Sequence, residues 1–127
     1  MDQVRALIVD DSSVMRKIVE RALRQAGIGT LVVHEASSGT EGLEVLRSAS
    51  VDVILSDINM PAMDGLEFVR QIQAQKLAPG VPVIMITTES SEEHVRQAIT
   101  AGARGYLRKP FTAEQVKERV LPLLGAA

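Results

Sequence analysis

Apolar residues along the chain fall into five short runs: ALIV (6–9), TLVVHEA (30–36), VDVILS (51–56), VPVIMIT (81–87) and the brief GYL (105–107). Most lack strict alternation. A run that is apolar at successive positions suits a strand covered on both faces, as in a parallel sheet. Between the runs the spacing changes to three and four residues. Val14, Met15, Ile18, Val19, Ala22 and Leu23 recur in this way, and Gly27 stands where a helix C-terminal cap belongs. Leu66, Val69 and Ile72 mark a helix after Pro61, and Val116, Val120 and Leu124 mark the last one. Three stretches fit a capping box: Ser38 with Glu41, Ser90 with Glu93 and Thr112 with Gln115. Strand and helix alternate five times. That order predicts an α/β fold, a five-stranded parallel sheet with helices on both faces.

In open parallel sheets, ligands bind beyond the carboxyl ends of the strands. The first run leads into Asp10 and Asp11, the third into Asp57, the fourth into Thr87 and Thr88, and the fifth into Lys109 and Pro110. Each has an ordinary explanation. Asp57 can bond nearby backbone, Asp10 and Asp11 can cap the first helix, Thr87 can be a β-branched strand residue, and Lys109 can be solvated. Their joint arrival on one rim favours a site. Three carboxylates in one crevice repel, so one takes a proton or a cation sits between them. Oxygen ligands without His or Cys select a hard ion, with Mg²⁺ favoured and Mn²⁺ acceptable. Such a site suits phosphoryl chemistry. The metal and Lys109 neutralise phosphoryl oxygens, Thr87 donates to one, and a carboxylate serves as nucleophile.

Composition narrows the rest. A chain of 127 residues implies one domain, expected over 1–127 with no output domain. Its aromatics are only Phe68, Tyr106 and Phe111, so the core must be aliphatic. A net charge of −2 without a basic run argues against nucleic acid and anionic membrane as partners. The absence of cysteine excludes disulfides and thiolate metal sites. Neither a leader nor a membrane-length apolar run is visible, so a cytoplasmic monomer is expected. His34 and His94 lack partner spacing and read as structural or surface residues. Met15, Met60, Met63 and Met85 read as packing. Gly27 and Gly29 precede a strand, unlike a dinucleotide-binding fingerprint.

The segments VDDSSVMRKIV (9–19), DINMPAMDGLEF (57–68), MITTES (85–90) and AGARGYLRKPFTAEQV (101–116) together resemble the receiver domains of bacterial response regulators, and most of all their single-domain chemotaxis members. The resemblance implies a flavodoxin-like sheet of order 2-1-3-4-5. It implies that Asp57 accepts a phosphoryl group from a histidine kinase and that Asp11, Asp57 and the carbonyl of Asn59 bind Mg²⁺, with Asp10 acting through water. Thr87 and Lys109 would hold phosphoryl oxygens, and Thr87 and Tyr106 would form the switch. The Lys109–Pro110 bond is typically cis in this family. Asn59 and Glu89 would flank the path of an attacking water, and in the family this pair accompanies short-lived phosphorylation. Ile58 stands where chemotaxis members often carry Trp, and Thr88 where a smaller residue is common.

The implied function is a phosphorylation-activated switch in a two-component system, with self-phosphorylation and autodephosphorylation but no metabolite turnover. Its target would dock on the face made by 91–100, Tyr106 and 112–124, near Val95, Ala103, Tyr106 and Arg119. The flagellar motor switch is the first candidate target, and a phosphorelay intermediate is the alternative role. An Asp-nucleophile phosphohydrolase of the haloacid dehalogenase type is a weaker reading. Its acid motif follows the first strand, whereas D-x-N here follows the third. A receiver-like scaffold that is never phosphorylated is weaker too, because the full acid, hydroxyl and lysine set is present.

Overall fold

The first apolar run forms strand β1 (Gln3–Val9), and its residues divide between two cores. Ala6 and Ile8 face one, Leu7 and Val9 the other. This is period-two alternation with both faces covered, which is why the run is apolar throughout. A computed structural model describes residues 3–28, 30–87 and 92–124, the side chains of Glu92 and His94 excepted. After β1 come α1 (Ser13–Gln25), β2 (Thr30–Ala36), α2 (Gly39–Ser48), β3 (Val53–Asp57), α3 (Gly65–Ala74), β4 (Val83–Thr87), α4 (Glu92–Ala101), β5 (Gly105–Arg108) and α5 (Ala113–Leu124). The strands form one parallel sheet of order β2-β1-β3-β4-β5, as the resemblance implied.

Helices α1 and α5 cover one face. Val19, Ala22 and Leu23 of α1 and Val116 and Val120 of α5 pack there on Ala6, Ile8, Val53, Leu55, Ile84, Ile86 and Leu107. Helices α2, α3 and α4 cover the other, bringing Leu43, Leu46, Phe68, Val69, Ile72 and Ala98 to Leu7, Val9, Ile54, Val83 and Met85. The core is aliphatic as expected, with Phe68 its single fully buried aromatic among the described residues. Met60 and Met85 are buried and Met63 packs beside them, so these methionines are packing residues.

Local signals explain most element ends. Ser12 is the N-cap of α1, its Oγ accepting from the Met15 N–H at 3.2 Å. The helix stops at Gly27, whose φ of +73° needs no Cβ. Thr112 and Gln115 form the reciprocal capping box of α5 at 2.9 and 3.1 Å. At α2 the Ser38 Oγ accepts from the Glu41 N–H, but the Glu41 carboxylate reaches back to Ser37. The Ser90 box lies outside the described residues.

Two expectations need correction. The apolar stripe of α1 is narrower than the spacing suggests. Val14 is 67% and Ile18 44% exposed, because Val19, Ala22, Leu23 and Ala26 already fill the stripe facing the sheet. Ala103 is only 4% exposed and cannot contact a partner. Gly102, at φ +124°, turns the chain inward after α4, and the Ala103 N–H donates to the Ala98 carbonyl at 2.9 Å. Helix α3, whose end carries no glycine signal, closes with Lys76 at φ +55°, where the Leu77 N–H donates to the Ile72 carbonyl at 3.0 Å. That is the same left-handed closure as in α1, made without glycine.

Candidate acidic site at the strand ends

Strands β1 and β3 are neighbours, so their carboxyl ends deliver Asp10, Asp11 and Asp57 to one place. Each of the three offers an oxygen, and these oxygens lie within 4.8 Å of one another. Strand β4 brings Thr87 to the same rim, buried at its last position. Lys109, just past β5, reaches in from the far side. Its Nζ lies 3.7 Å from both Asp10 Oδ2 and Asp57 Oδ1. The Lys109 N–H also donates to the Thr87 carbonyl at 2.8 Å, which holds the lysine against β4. The Lys109–Pro110 bond is cis.

The ordinary explanations are partly right. Asp57 does bond local backbone, accepting from the Asn59 N–H at 3.3 Å. Thr87 is indeed a buried strand residue. The helix cap, however, belongs to Ser12, not to Asp10 or Asp11. Lys109 is not solvated, with a side chain only 17% exposed. His34 lies partly buried in β2, away from the acid cluster. Glu89 and Thr88 lie outside the described residues. Ile58 is buried in the core beneath the α2–α4 face.

Asp10 is held at every polar atom but one. Its N–H donates to the Ala36 carbonyl at 3.1 Å, and its Oδ1 accepts from the Ser12 N–H at 2.8 Å. Its carbonyl accepts from Arg16 Nη1 at 2.6 Å. Oδ2 is buried and has no hydrogen-bond partner. Burial is the main cause that pushes the Asp10 carboxyl above the ordinary aspartate value; the Asp57 charge adds to it, while the Ser12 N–H and Lys109 oppose it. Three carboxylates against one ammonium carry an excess of negative charge, and a buried acceptor faces the cluster unsatisfied. This donor set fits a small hard dication. The Arg16 contact carries no signal in the sequence, since a main-chain acceptor leaves no motif.

Comparison with known proteins agrees. Residues 6–121 match the response regulator receiver domain. The chain is 38% identical over 117 residues to the chemotaxis protein CheY of Pseudomonas aeruginosa, covering 92% of this chain and 93% of that protein. The structure of Vibrio cholerae chemotaxis protein CheY4 aligns with a TM-score of 0.84 at 37% identity, over 95% of this chain and 98% of the other. The receiver domain of a sensor histidine kinase from Pseudomonas aeruginosa PAO1, solved with a magnesium ion coordinated in its active site cleft, aligns at 0.85 and 27% identity, over 98% and 99%. Likeness that runs from β1 to α5 at more than a third identity reaches beyond the fold: the chain belongs to the response regulator receiver domain family, as a relative of the CheY proteins.

Proposed function

We propose that this receiver domain is a phosphorylation-activated switch whose phosphoryl acceptor is Asp57. One observation carries the reading: Asp57 closes a buried strand with its carboxylate beside Asp10, Asp11 and Lys109. Asp11, Asp57 and the Asn59 carbonyl would hold Mg²⁺, with Asp10 acting through water. The bound ion would neutralise the acid cluster and the incoming phosphoryl oxygens. An Asp57 oxygen attacks the phosphorus of a kinase phosphohistidine. A P–O bond forms, the P–N bond breaks, and the imidazole leaves with the electron pair and takes a proton from solvent. Strand β3 fixes the direction of attack. Lys109 and the Thr87 hydroxyl stabilise the phosphoryl oxygens.

The output follows from strand alternation. Met85 packs with the α2–α4 core, so Thr87, two residues on, points to the same side. Tyr106 pairs with Met85 across the strands and packs against that core too. Thr87 drawn toward a phosphoryl group would therefore alter the space available to Tyr106. The surface of α4, β5 and α5 would change with it, and there a protein target docks. Exposed Ile99 replaces Ala103 as the apolar contact on that surface. By likeness to the CheY chemotaxis proteins, the target is a flagellar motor switch and the donor a chemotaxis histidine kinase. The domain acts as a signalling module without metabolite turnover.

Acetyl phosphate or phosphoramidate with Mg²⁺ should label one residue, Asp57, by mass spectrometry. Undiminished labelling of Asp57→Asn, or labelling that survives EDTA, defeats the proposal.

A further inference from the structure

Asp10 and Asp11 lie beyond the end of β1, and the bond from the Asp10 N–H to the Ala36 carbonyl is the last backbone bond between that segment and β2. Something else must fix the peptide that joins them, because its orientation sets where both carboxylates point. The contact that does so comes from α1. Arg16 Nη1 donates to the Asp10 carbonyl at 2.6 Å, while its Nε donates to Glu35 Oε1 at 2.9 Å. Its side chain is only 15% exposed. Glu35 sits on β2 beside Ala36, whose carbonyl takes the Asp10 N–H. One planar guanidinium thus ties the β1–α1 loop to α1 and to β2 at once, a geometry that the fixed fork of arginine suits and lysine does not.

Charge alone gives this arginine no reason to be there. A cation next to an acid cluster opposes the binding of another cation. Glu35 offsets that opposition by pairing the guanidinium, and Lys17 Nζ shares the same carboxylate at 3.0 Å. We infer that Arg16 is a positioning residue for the acid cluster: it holds the Asp10–Asp11 peptide in the orientation a divalent cation requires, and Glu35 locks and neutralises it. Removing a ligand-supporting group of this kind typically costs about 10- to 100-fold in metal affinity. The inference rests on the reading that the cluster binds Mg²⁺.

Lys17 provides the control. It bears the same charge and touches the same glutamate, but its ion pairs are with Glu35 and Glu20 and not with the Asp10 loop. MgCl₂ is titrated into the metal-free protein and followed by backbone amide shifts of residues 10–12 and 57–59, with urea midpoints taken alongside. Arg16→Met should weaken Mg²⁺ binding roughly tenfold or more in the folded protein. Lys17→Met should leave affinity unchanged or slightly tighter. A role through charge predicts tighter binding for both variants, and a role in stability alone moves the urea midpoint without the affinity. Should Arg16→Met not fold, the charge-balanced double variant Glu35→Gln with Lys17→Met decides, and weaker Mg²⁺ binding is expected there. Wild-type affinity in Arg16→Met, or in the double variant, overturns the inference. A wild-type protein that binds no Mg²⁺ overturns the underlying reading as well.

Discussion

Asp10→Asn should make the metal-free protein more stable. The substitution keeps the shape of the side chain and the turn in which Oδ1 accepts from the Ser12 N–H. It replaces Oδ2, which accepts no hydrogen bond, with an amide that can donate to a neighbouring carboxylate. Unit charges about 4 Å apart interact by roughly 4 kcal/mol at an effective dielectric near 20. Asp10 gains one such attraction, to Lys109 at 3.7 Å, and suffers repulsion from Asp57 and the more exposed Asp11. The Lys109 attraction and the Asp57 repulsion largely cancel, and water screens the exposed Asp11. What remains is the desolvation of a buried, unsatisfied carboxylate oxygen, worth about 1–3 kcal/mol. The expected gain is therefore on the order of 1–2 kcal/mol at pH 7 in EDTA, or a rise in Tm of about 3–8 °C for a domain this size.

The pH dependence has a definite sign. Burial raises the Asp10 carboxyl above its ordinary value of 3.8. Between that value and the raised one, the folded protein holds a proton that the unfolded chain has lost. Wild-type stability from this group therefore falls as pH rises through the window, then levels off. The advantage of Asp10→Asn should vanish below pH 3.8 and reach its full size above the raised value. Mg²⁺ should reverse the order at neutral pH, since a ligand at 100 times its Kd stabilises by about 2.7 kcal/mol and the variant binds it less well. Urea unfolding followed by far-UV circular dichroism, with and without MgCl₂, measures each difference. A variant less stable than wild type in EDTA at pH 7, or an advantage that persists at pH 3, refutes the reasoning.

Gly65→Ala should both destabilise and slow phosphorylation. Its Cβ would lie 2.6 Å from the Asp57 carbonyl and 2.7 Å from Ile58 Cα, so α3 must retreat from the acceptor at a cost of about 1–3 kcal/mol, read from the urea midpoint and from labelling rates. Tyr106 is the single tyrosine in a chain without tryptophan, so intrinsic fluorescence reports on it alone. Beryllofluoride with Mg²⁺ should change its emission or its acrylamide quenching, the change should be absent in Asp57→Asn, and an unaltered signal with confirmed binding removes Tyr106 from the switch. The aspartyl phosphate should be short-lived, and Asn59→Arg, at an exposed position beside the acceptor, should slow its loss; persistence for hours in the wild type contradicts this.

The sheet was legible because every central strand is buried on both faces, which writes an uninterrupted apolar run into the chain. Strand β5 was the faintest, and the reason is physical. It is a four-residue edge strand in which only Leu107 is fully buried. The site was legible for a related reason. Parallel strands all end on one rim, so chemistry at the ends of β1, β3 and β4, and just beyond β5, must converge. What stayed hidden depends on which atom bonds which. Nothing in the sequence assigns Asp10 Oδ1 to a turn and leaves Oδ2 without a hydrogen bond, or sends Arg16 to a main-chain carbonyl. The end of α3 was hidden too, since Lys76 adopts a conformation that glycine usually advertises.

The alternation that makes two cores also separates holding the site from reporting on it. Helix α1, packed on the face shared with α5, supplies Ser12 and Arg16 to the loop that carries Asp10 and Asp11. Ion pairs from Arg16 and Lys17 to Glu35 fasten that helix to β2, the strand at the far edge of the sheet from β5. Thr87 points to the opposite face, where Met85, Ala98, Ala103 and Tyr106 pack together. Arg119 of α5 reaches Tyr106 from outside, its Cζ 5.2 Å from the ring centroid. A change at Thr87 therefore meets the α4–β5 side first, through Met85 and the half-buried Tyr106. The Arg16–Glu35 tie stands on the other side of the acid cluster, reached from Thr87 by way of Lys109 and Asp10. Close-packed interiors shift between discrete arrangements instead of deforming smoothly. Under the proposed function, the surface of α4, β5 and α5 would rearrange while α1 and β2 keep their hold on the loop that carries Asp10 and Asp11.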